Sequence, residues 1–312
     1  MATSGSTNWT LTRDDIIKRA LRIIGHLDPN ETPESHDVNT SAEALNALLK
    51  SWNNTILGHQ LFTQKHATLF MALSQHSYDL GPSGDHASAS HVESAIQSAV
   101  TSGGKQITIR AADAPTAAQN IGIYLNDGVL QWTTVGTASS SGTLSLAVSL
   151  SASTSASAPV FIYTDKMERP VDIVFAYLRD SLGQDKKLLT MERGEYFRRY
   201  DKDRDGEPQR YYYEPTLTNG KFYIDWEEDD TRETIRLVYR RPFEDFDATT
   251  DNADLPQEWL KALIWNLASE IGPEFGIDRK RQEYIDNRAA GALLEIRAMY
   301  ANSPRRSIPT GI

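Results

Sequence analysis

The chain has 312 residues, 39% of them hydrophobic and 24% charged, which is the composition of an ordinary globular protein of about two or three domains. It contains no cysteine, which excludes disulfides, thiolate metal sites and a cysteine nucleophile, and fits folding in a reducing cytoplasm. The formal net charge of -10 disfavours tight binding to a nucleic-acid backbone. No signal-peptide pattern and no apolar run of roughly 18 residues is present, so we expect a soluble protein outside the membrane.

Two amphipathic helices are indicated near the start of the chain. Thr12 has the features of an N-cap, Asp15 stands at the third helical position of a capping box, and Gly25 is a stop signal. The apolar residues between them repeat at helical spacing and are Ile16, Ile17, Ala20, Leu21 and Ile24. A second stripe with this spacing consists of Ala44, Leu45, Leu48, Leu49 and Trp52. The two helices are expected to form a hairpin.

From about residue 61 the hydrophobic period changes to two, which indicates strands, with Phe70 and Leu73 in one of them. Residues 92–164 are poor in charge and keep this period, with a hairpin turn at 126–128, so they predict a small antiparallel β domain. The Ser- and Ala-rich tract 139–159 within it is also compatible with a low-complexity linker. Its apolar residues, Leu144, Leu146, Val148 and Leu150, alternate strictly and favour strands.

β structure is expected to resume after residue 164. Residues 171–178 predict a buried strand, and residues 191–200 predict a short helix capped by Thr190. Asn219-Gly220 is the turn of another hairpin. The strands around and after this turn comprise residues 211–213, 222–224 and 235–239.

Two more helices are indicated at the end of the chain. Pro256 suits the first position of one helix, and Asp278 suits the N-cap of the other. Because helices gain most of their stability by packing an apolar face, we expect the N- and C-terminal helices to pack on each other.

The expected fold class is α+β: a helical bundle domain formed by the N- and C-terminal helices, with an antiparallel β region and an additional inserted small β domain between them. The predicted domains are a discontinuous helical domain with an extended C-terminal segment (1–60 and 252–312), an antiparallel β region with one short helix (61–91 and 165–251), and the inserted β domain (92–164).

The stretch DKDRDGEPQRYYYEP, residues 201–215, resembles the start of a calcium-binding loop. Asp201, Asp203 and Asp205 alternate up to Gly206, as in an EF-hand. The twelfth position, which requires a bidentate glutamate, is Tyr212. A charged turn before a strand explains the same residues, so these three aspartates are weak metal candidates and no cofactor is expected.

Catalytic patterns are not found in the sequence. The acidic run 226–230 could supply paired carboxylates for glycoside chemistry, but consecutive acids between strands are typical of a solvated turn. The seven histidines are scattered, and neither a nucleophile elbow nor a phosphate-binding loop is present. We therefore expect a protein that is not an enzyme.

Aromatic residues cluster on the predicted hairpin around Asn219-Gly220. Some of them must face outward, and tyrosine and tryptophan are favoured on surfaces that a partner covers. Alternatively, alternate residues fill the core and the rest are merely exposed. Tyr211, Tyr213 and Trp226 are the partner-binding candidates from this cluster.

The segment 302–312 has no helical periodicity and contains two prolines, two arginines and two isoleucines. A disordered end is one interpretation. The other is an extended peptide that lies in a partner's groove, with Ile308 and Ile312 as anchors.

The order of segments resembles the head-to-tail adaptor (connector) proteins of short-tailed bacteriophages, also called packaged-DNA stabilisation or gatekeeper proteins. The resemblance rests on the segments LTRDDIIKRALRIIGHLDPNE, TSAEALNALLKSWN, SYDLGPSGD, ERPVDIVFAYLRD, EYFRRYDKDRDGEPQRYYYEP and YRRPFEDFDATTDNADLPQEWLKALIWNLASEIGPEFGI. It covers most of the chain outside 92–164, and no single motif is diagnostic.

The resemblance implies a dodecameric ring beneath the portal protein ring, at the head-tail junction of the virion, assembled in the host cytoplasm. DNA passes through its channel without sequence-specific binding, packaged DNA is retained, and the tail nozzle or other tail proteins dock on the ring. The C-terminal segment would reach toward the portal, with Arg305, Arg306, Ile308, Pro309 and Ile312 as partner-binding residues. Residues 92–164 depart from shorter family members, which leaves their partner open.

Two other classes of function remain open from the sequence. A β-rich phage tail or fibre module that recognises a surface glycan would require an exposed aromatic cleft, lined by Trp132 and Tyr124. A cell-wall hydrolase would require two carboxylates that converge in one pocket.

Overall fold

The computed structural model describes residues 9–54, 63–202, 204–227 and 230–301. Within these ranges the fold is α+β, with five α-helices and three β-sheets. The helices are α1 (Arg13–Ile24), α2 (Ser35–Asn54), α3 (Arg193–Phe197), α4 (Leu260–Ile271) and α5 (Arg279–Ala301). The chain divides into two compact units, one of Met1–Gln60 with Phe243–Ile312 and one of Leu61–Pro242.

Helix α1 confirms the prediction made from its capping pattern. The Thr12 side chain accepts a hydrogen bond from the Asp15 backbone N–H, and the Asp15 carboxylate accepts one from the Thr12 N–H, which completes the capping box. Gly25 ends the helix with a left-handed φ of 78°. The five predicted apolar residues of this helix are all buried.

The start of α5 was predicted correctly, and the start of α4 was not. One carboxylate oxygen of Asp278 accepts from the backbone N–H groups of Lys280 and Arg281 at 2.9 and 3.1 Å, so Asp278 caps α5. Pro256 was expected as the first residue of α4, but its ψ of 147° is extended. It precedes a short 3₁₀ turn at Gln257–Trp259, and α4 begins after this turn.

Helices α4 and α5 are antiparallel neighbours. Ser269 Oγ donates to Asp286 Oδ1 at 2.6 Å, and Lys261 Nζ donates to Glu295 Oε2 at 2.6 Å. Later residues of α4 are thus paired with earlier residues of α5. The C-terminal end of α5 therefore lies beside the N-terminal end of α4.

Helix α2 is joined to the residues that follow Pro242. The side-chain amide of Asn46 donates to the Phe246 carbonyl at 3.2 Å and accepts from the Phe246 N–H at 3.0 Å. The rings of Trp52 and Trp259 pack with centroids 6.0 Å apart. These contacts place α2 against the chain that leads into α4.

The strands of the described residues all lie in the second unit. In chain order they are β1 (Gln64–Phe70), β2 (Ser77–Leu80), β3 (Ala87–Ser88), β4 (Val92–Ala95), β5 (Gln106–Thr108), β6 (Asn120–Tyr124), β7 (Leu130–Ala138), β8 (Thr143–Leu146), β9 (Pro159–Tyr163), β10 (Asp172–Arg179), β11 (Asp185–Lys187), β12 (Leu189–Thr190), β13 (Arg210–Pro215), β14 (Gly220–Ile224) and β15 (Thr234–Arg240). They form sheets in the orders β11-β10-β15-β1-β3, β12-β13-β14-β2 and β4-β9-β6-β7-β8-β5.

The five-stranded and four-stranded sheets share one hydrophobic core. Leu69 of β1 lies opposite Ile235 of β15, and Tyr211 of β13 lies opposite Ile224 of β14. All four side chains are buried in the same cluster. Only one face of the four-stranded sheet contributes to this core, because successive side chains of a strand point to opposite faces.

The six-stranded sheet spans residues 92–163, and its strand pairs are antiparallel. Gly128 takes a φ of 85° in the turn between β6 and β7, as the hairpin prediction required. Leu144, Leu146 and Leu150 are buried in the core of this sheet, so the Ser- and Ala-rich tract is folded chain and not a linker. Val148 is 56% exposed, because β8 ends at Leu146 and the alternation stops there.

Two local predictions in the second unit were wrong. The helix expected at 191–200 with a Thr190 cap is α3, which is shorter and has Glu192 as its N-cap. Thr190 belongs to β12 instead, where it pairs with Tyr211 of β13. Leu73 lies in the turn after β1 and not in a strand.

Candidate partner-binding surface

The hairpin of β13 and β14 divides its aromatic side chains between two faces. Tyr211 and Phe222 are 3% and 0% exposed, and their rings stack in the core with centroids 5.1 Å apart. Tyr212 and Tyr223 are directly opposite each other in the register and point to the other face. Their rings stack with centroids 5.7 Å apart and planes that differ by 14°.

Helix α3 adds two rings to this outer face. Tyr196 is buried against Tyr223, with centroids 4.7 Å apart. Phe197 is 43% exposed and contacts Tyr223 and Tyr212 edge-on at 5.9 and 6.3 Å. We refer to Tyr196, Phe197, Tyr212 and Tyr223 as the aromatic face. The four rings form one cluster on the side of the sheet away from the core, in which Phe197 is exposed, Tyr212 and Tyr223 are partly exposed and Tyr196 is buried.

Basic side chains flank the aromatic face. The guanidinium of Arg193 lies 5.0 Å from the centroid of Phe197, and the ammonium of Lys202 lies 5.2 Å from the same ring and 5.5 Å from Tyr196. Arg193 is also 3.5 Å from the Glu214 carboxylate. Aromatic rings with arginine beside them are the composition that protein interfaces favour at their centres.

Trp226 has a similar but separate environment. Its ring is half-buried, and the guanidinium of Arg204 lies 4.8 Å from its centroid. Gly206 lies beside the same ring, where an added Cβ would be 3.3 Å from it. Trp226 was a partner-binding candidate from the sequence, and its partly exposed indole is compatible with that hypothesis.

The structure places the other two candidates from this hairpin on the core side of the sheet. Tyr211 is a core residue, and burial raises the pKa of its hydroxyl to about 12. Tyr213 packs against the same core and donates from its hydroxyl to the Pro170 carbonyl at 2.6 Å. The sequence held the relevant signal: Tyr211 and Tyr213 share a face with Ile224 and Phe222, which marks that face as apolar.

The remaining partner-binding candidates belong to the C-terminal segment 302–312. Arg305, Arg306, Ile308, Pro309 and Ile312 lie outside the described residues. Their role stays a prediction from the sequence.

The aspartate-rich stretch at 201–205 leads into a β-bridge. Asp205 pairs with Glu227 in a parallel bridge, and the Gly206 N–H donates to the Glu227 carbonyl at 2.9 Å. Asp203 lies outside the described residues. Among the residues that are described, no group of three or more histidine, aspartate or glutamate side chains is arranged to hold a metal ion.

A second aromatic cluster surrounds Trp132, where the sequence analysis placed a possible glycan cleft. The ring of Trp132 stacks on His86 with centroids 4.1 Å apart. On the neighbouring strand, Gly122 lies under the same indole. Tyr124 lies beneath the guanidinium of Arg232 at 5.8 Å. Each ring therefore has a neighbour over one face and remains partly exposed, and the glycan hypothesis stays a prediction from the sequence.

His86 is part of this cluster, and no sequence pattern indicated its role. Its Nδ1 lies 2.6 Å from the hydroxyl of Tyr163. Burial, and to a lesser extent the positive charge of Lys166, lowers the pKa of His86 to about 4. Burial raises the pKa of Tyr163, so at neutral pH both groups are uncharged, and the tautomer of the imidazole decides which of them donates.

Buried carboxylates were the requirement of the hydrolase hypothesis. Asp225 and Glu227 are 6% and 7% exposed. Asp225 accepts hydrogen bonds from the backbone N–H groups of Gln209 and Arg210, and Glu227 lies 3.2 Å from the imidazole of His76. Asp225 thus stabilises the start of β13, and Glu227 stabilises the chain after β14.

Comparison with known proteins adds no relative: no family model matches the chain, and no curated protein sequence matches it. The resemblance to phage adaptors therefore rests on the sequence segments themselves. Within the described ranges, none of the helices has the length and apolar character needed to cross a bilayer.

Proposed function

We propose that this protein is a structural head-to-tail adaptor of a short-tailed bacteriophage. In this proposal it forms a dodecameric ring beneath the portal, lines part of the DNA channel, helps to retain packaged DNA and carries the tail nozzle. The observation that carries the proposal is the aromatic face, a stack of rings with Phe197 exposed beside basic side chains on the outer side of a folded sheet. Such a surface suits a protein partner more than a substrate.

The helical unit is proposed as the adaptor domain, with α1, α2, α4 and α5 packed as a bundle. Its contacts support this arrangement. The Trp52 and Trp259 rings join α2 to the start of α4, and the Ser269 to Asp286 hydrogen bond joins α4 to α5. Arg281 of α5 donates to the Ile23 carbonyl of α1 at 3.0 Å.

The charge of the chain also fits the proposed channel. A net charge of -10 repels phosphate at long range, so DNA can move past the ring without being held. A protein that gripped the DNA backbone would need clusters of lysine and arginine instead. Retention of packaged DNA would then depend on closure of the channel by the assembled tail and not on direct affinity.

The proposed interface consists of the aromatic face and a complementary surface on a neighbouring subunit or a tail protein. Phe197 is its most exposed ring at 43%, and the rings beneath it are already packed together. A preformed aromatic stack loses little side-chain entropy on binding, which favours affinity. The partner is expected to present apolar groups to the rings and carboxylates to Arg193 and Lys202.

Negative-stain electron microscopy of the purified chain, alone and mixed with the portal of the same phage, tests the proposal. Rings stacked coaxially on portal rings are the expected result. If the chain forms no ring and does not associate with the portal at micromolar concentration, the adaptor proposal is wrong. The glycan-binding alternative would then be tested by glycan-array binding, with residues 92–164 as the first region to mutate.

A further inference from the structure

We infer that a cavity at the N-terminal ends of α1 and α4 is the docking site for residues 302–312 of the same chain. This goes beyond the proposed adaptor function, because it concerns the isolated chain before any partner is bound. The cavity has a volume of about 260 Å³ and lies within the helical unit. Its apolar wall includes Trp9, Leu11, Leu255 and Leu260.

The wall of the cavity is held in place by local pairing. Thr12 forms an antiparallel bridge with Asn252, and the Arg13 N–H donates to the Asp251 carbonyl at 2.8 Å. Trp9 is 49% exposed, and the guanidinium of Arg19 lies 5.3 Å from the centroid of its ring. The indole is therefore positioned by the protein and remains half open to a ligand.

The end of α5 lies close to this cavity. Lys261 of α4 pairs with Glu295 of α5, and continuing this antiparallel register places Leu260, a cavity residue, opposite Ile296. From Ile296 the helix continues to Ala301, which adds about 7.5 Å at 1.5 Å per residue. The end of α5 is therefore about 7.5 Å beyond the level of Leu260, at the same end of the two helices as the cavity.

The length of this segment is sufficient to enter the cavity. Eleven residues span up to about 36 Å when extended, and Ile308 alone can lie up to about 23 Å from Ala301. Ile308, Pro309 and Ile312 supply apolar groups for the apolar wall of the cavity. Because the segment is tethered close to the site, its effective concentration there is high.

Charge complementarity favours the same occupant. The segment 243–258 contains six carboxylates and no lysine or arginine, and it supplies the cavity residues Ala253, Leu255 and Gln257. Glu258, next to Gln257, is exposed. Residues 302–312 contain two arginines and no aspartate or glutamate. The other segment near Trp9, residues 1–8, has no charged side chain and Met1 as its one large apolar residue.

Disulfide trapping in the full chain tests this inference, and the native sequence suits the method because it contains no cysteine. The test variant combines Ala253→Cys on the cavity wall with Ser307→Cys beside Ile308, which leaves both isoleucines in place. The control variant combines Ser307→Cys with Leu294→Cys, a position on α5 that is 62% exposed and about 10 Å from Ala301. A freely moving segment 302–312 could bring position 307 to position 253 or to position 294, so only docking in the cavity would favour position 253.

The expected result is an intramolecular disulfide in the Ala253→Cys variant, formed at least about tenfold faster than in the control, because docking adds to the effective concentration that the tether alone provides. Intact mass and non-reducing electrophoresis identify it as a monomer. Adding Ile308→Asp and Ile312→Asp is expected to slow its formation to the control rate. Gln257→Cys with Ser307→Cys is a second pair for the same cavity, in case Ala253→Cys disturbs folding.

Equal rates in the test and control variants would overturn the inference. A disulfide-linked dimer as the main product would also overturn it, since the segment would then occupy the cavity of a second copy. Neither outcome depends on the portal, so failure of this inference and failure of the adaptor proposal are distinguishable.

Discussion

The imidazole of His86 lies flat against the indole of Trp132, with ring centroids 4.1 Å apart and planes that differ by 6°. Trp132 belongs to β7 of the six-stranded sheet, whereas His86 directly precedes β3 of the five-stranded sheet. Phe70 of β1 packs on the same indole with centroids 5.1 Å apart. This stack joins the inserted sheet to the sheet from which it emerges, and it contains a titratable group.

We expect the stability of the second unit to fall as the pH drops from about 6.5 toward 4. The pKa of His86 is lowered to about 4 in the folded chain, mainly by burial, whereas an unfolded histidine titrates near 6.5. Between these values the unfolded chain binds more protons, so acid favours unfolding. The contribution of neutral His86 to the free energy of unfolding is fully present above pH 6.5 and is lost as the pH falls to 4.

Urea denaturation at pH 7 and pH 4.5 measures this effect by comparison with His86→Phe. The wild-type chain should lose about 1–2 kcal/mol more stability between the two pH values than the variant, after allowance for solvent screening. His36→Phe, at an exposed position of α2, serves as the control and should keep the wild-type pH dependence. If the free energy of unfolding changed equally with pH in the wild type and in His86→Phe, His86 would not be the source of the pH dependence.

Gly122→Ala should destabilise the six-stranded sheet by about 1–3 kcal/mol, because overpacking forces neighbouring atoms to move. A Cβ at this position would lie 2.8 Å from the ring of Trp132. The stacked imidazole of His86 also contacts this ring and restricts its movement. Thermal denaturation followed by near-UV circular dichroism reports the change at the tryptophan.

Gly291→Ala is the matched control for this substitution. Gly291 lies inside α5, and an added Cβ would meet no side chain or other element within 4 Å. Alanine is favoured over glycine in a helix interior, so a gain of about 0.5–1 kcal/mol is expected. Equal effects of the two substitutions would show that the Trp132 contact does not constrain position 122.

Phe197→Ser should weaken assembly with little effect on the fold. Removing the most exposed ring of the aromatic face costs an interface about 1–2 kcal/mol or more, so ring or portal association should weaken at least about fivefold. Analytical ultracentrifugation and negative-stain counts of occupied portals measure this loss. Leu217→Ser, at a 96% exposed position in the turn between β13 and β14, is the control and should assemble normally. Unchanged assembly of Phe197→Ser would remove the aromatic face from the interface.

Deletion of residues 302–312 should abolish portal attachment and leave the fold intact. The deleted segment follows α5, so the packing of α5 on α4 through Lys261 and Glu295 is retained. Far-UV circular dichroism should be unchanged, while co-sedimentation with portal rings should be lost. A shortened chain that still binds the portal would show that another surface provides the attachment.

The sequence determined the local features whose causes lie within a few residues. The capping box of Thr12 and Asp15, the stop at Gly25 and the cap at Asp278 follow from backbone hydrogen bonds that neighbouring side chains satisfy. The alternation of apolar residues predicted most strands of the six-stranded sheet, because its period is set by the pleat itself. The α+β class follows from these two periodicities.

Only the tertiary structure decided which aromatic residues form a surface. Tyr211 and Tyr212 are neighbours in sequence, yet one is in the core and the other on the aromatic face, because a second sheet covers one side of the hairpin. Tyr196 and Phe197 join that face from α3, which no local pattern places there. The stack of His86 on Trp132 likewise joins residues 46 positions apart, and such contacts depend on the packing of sheets that the chain forms far apart in sequence.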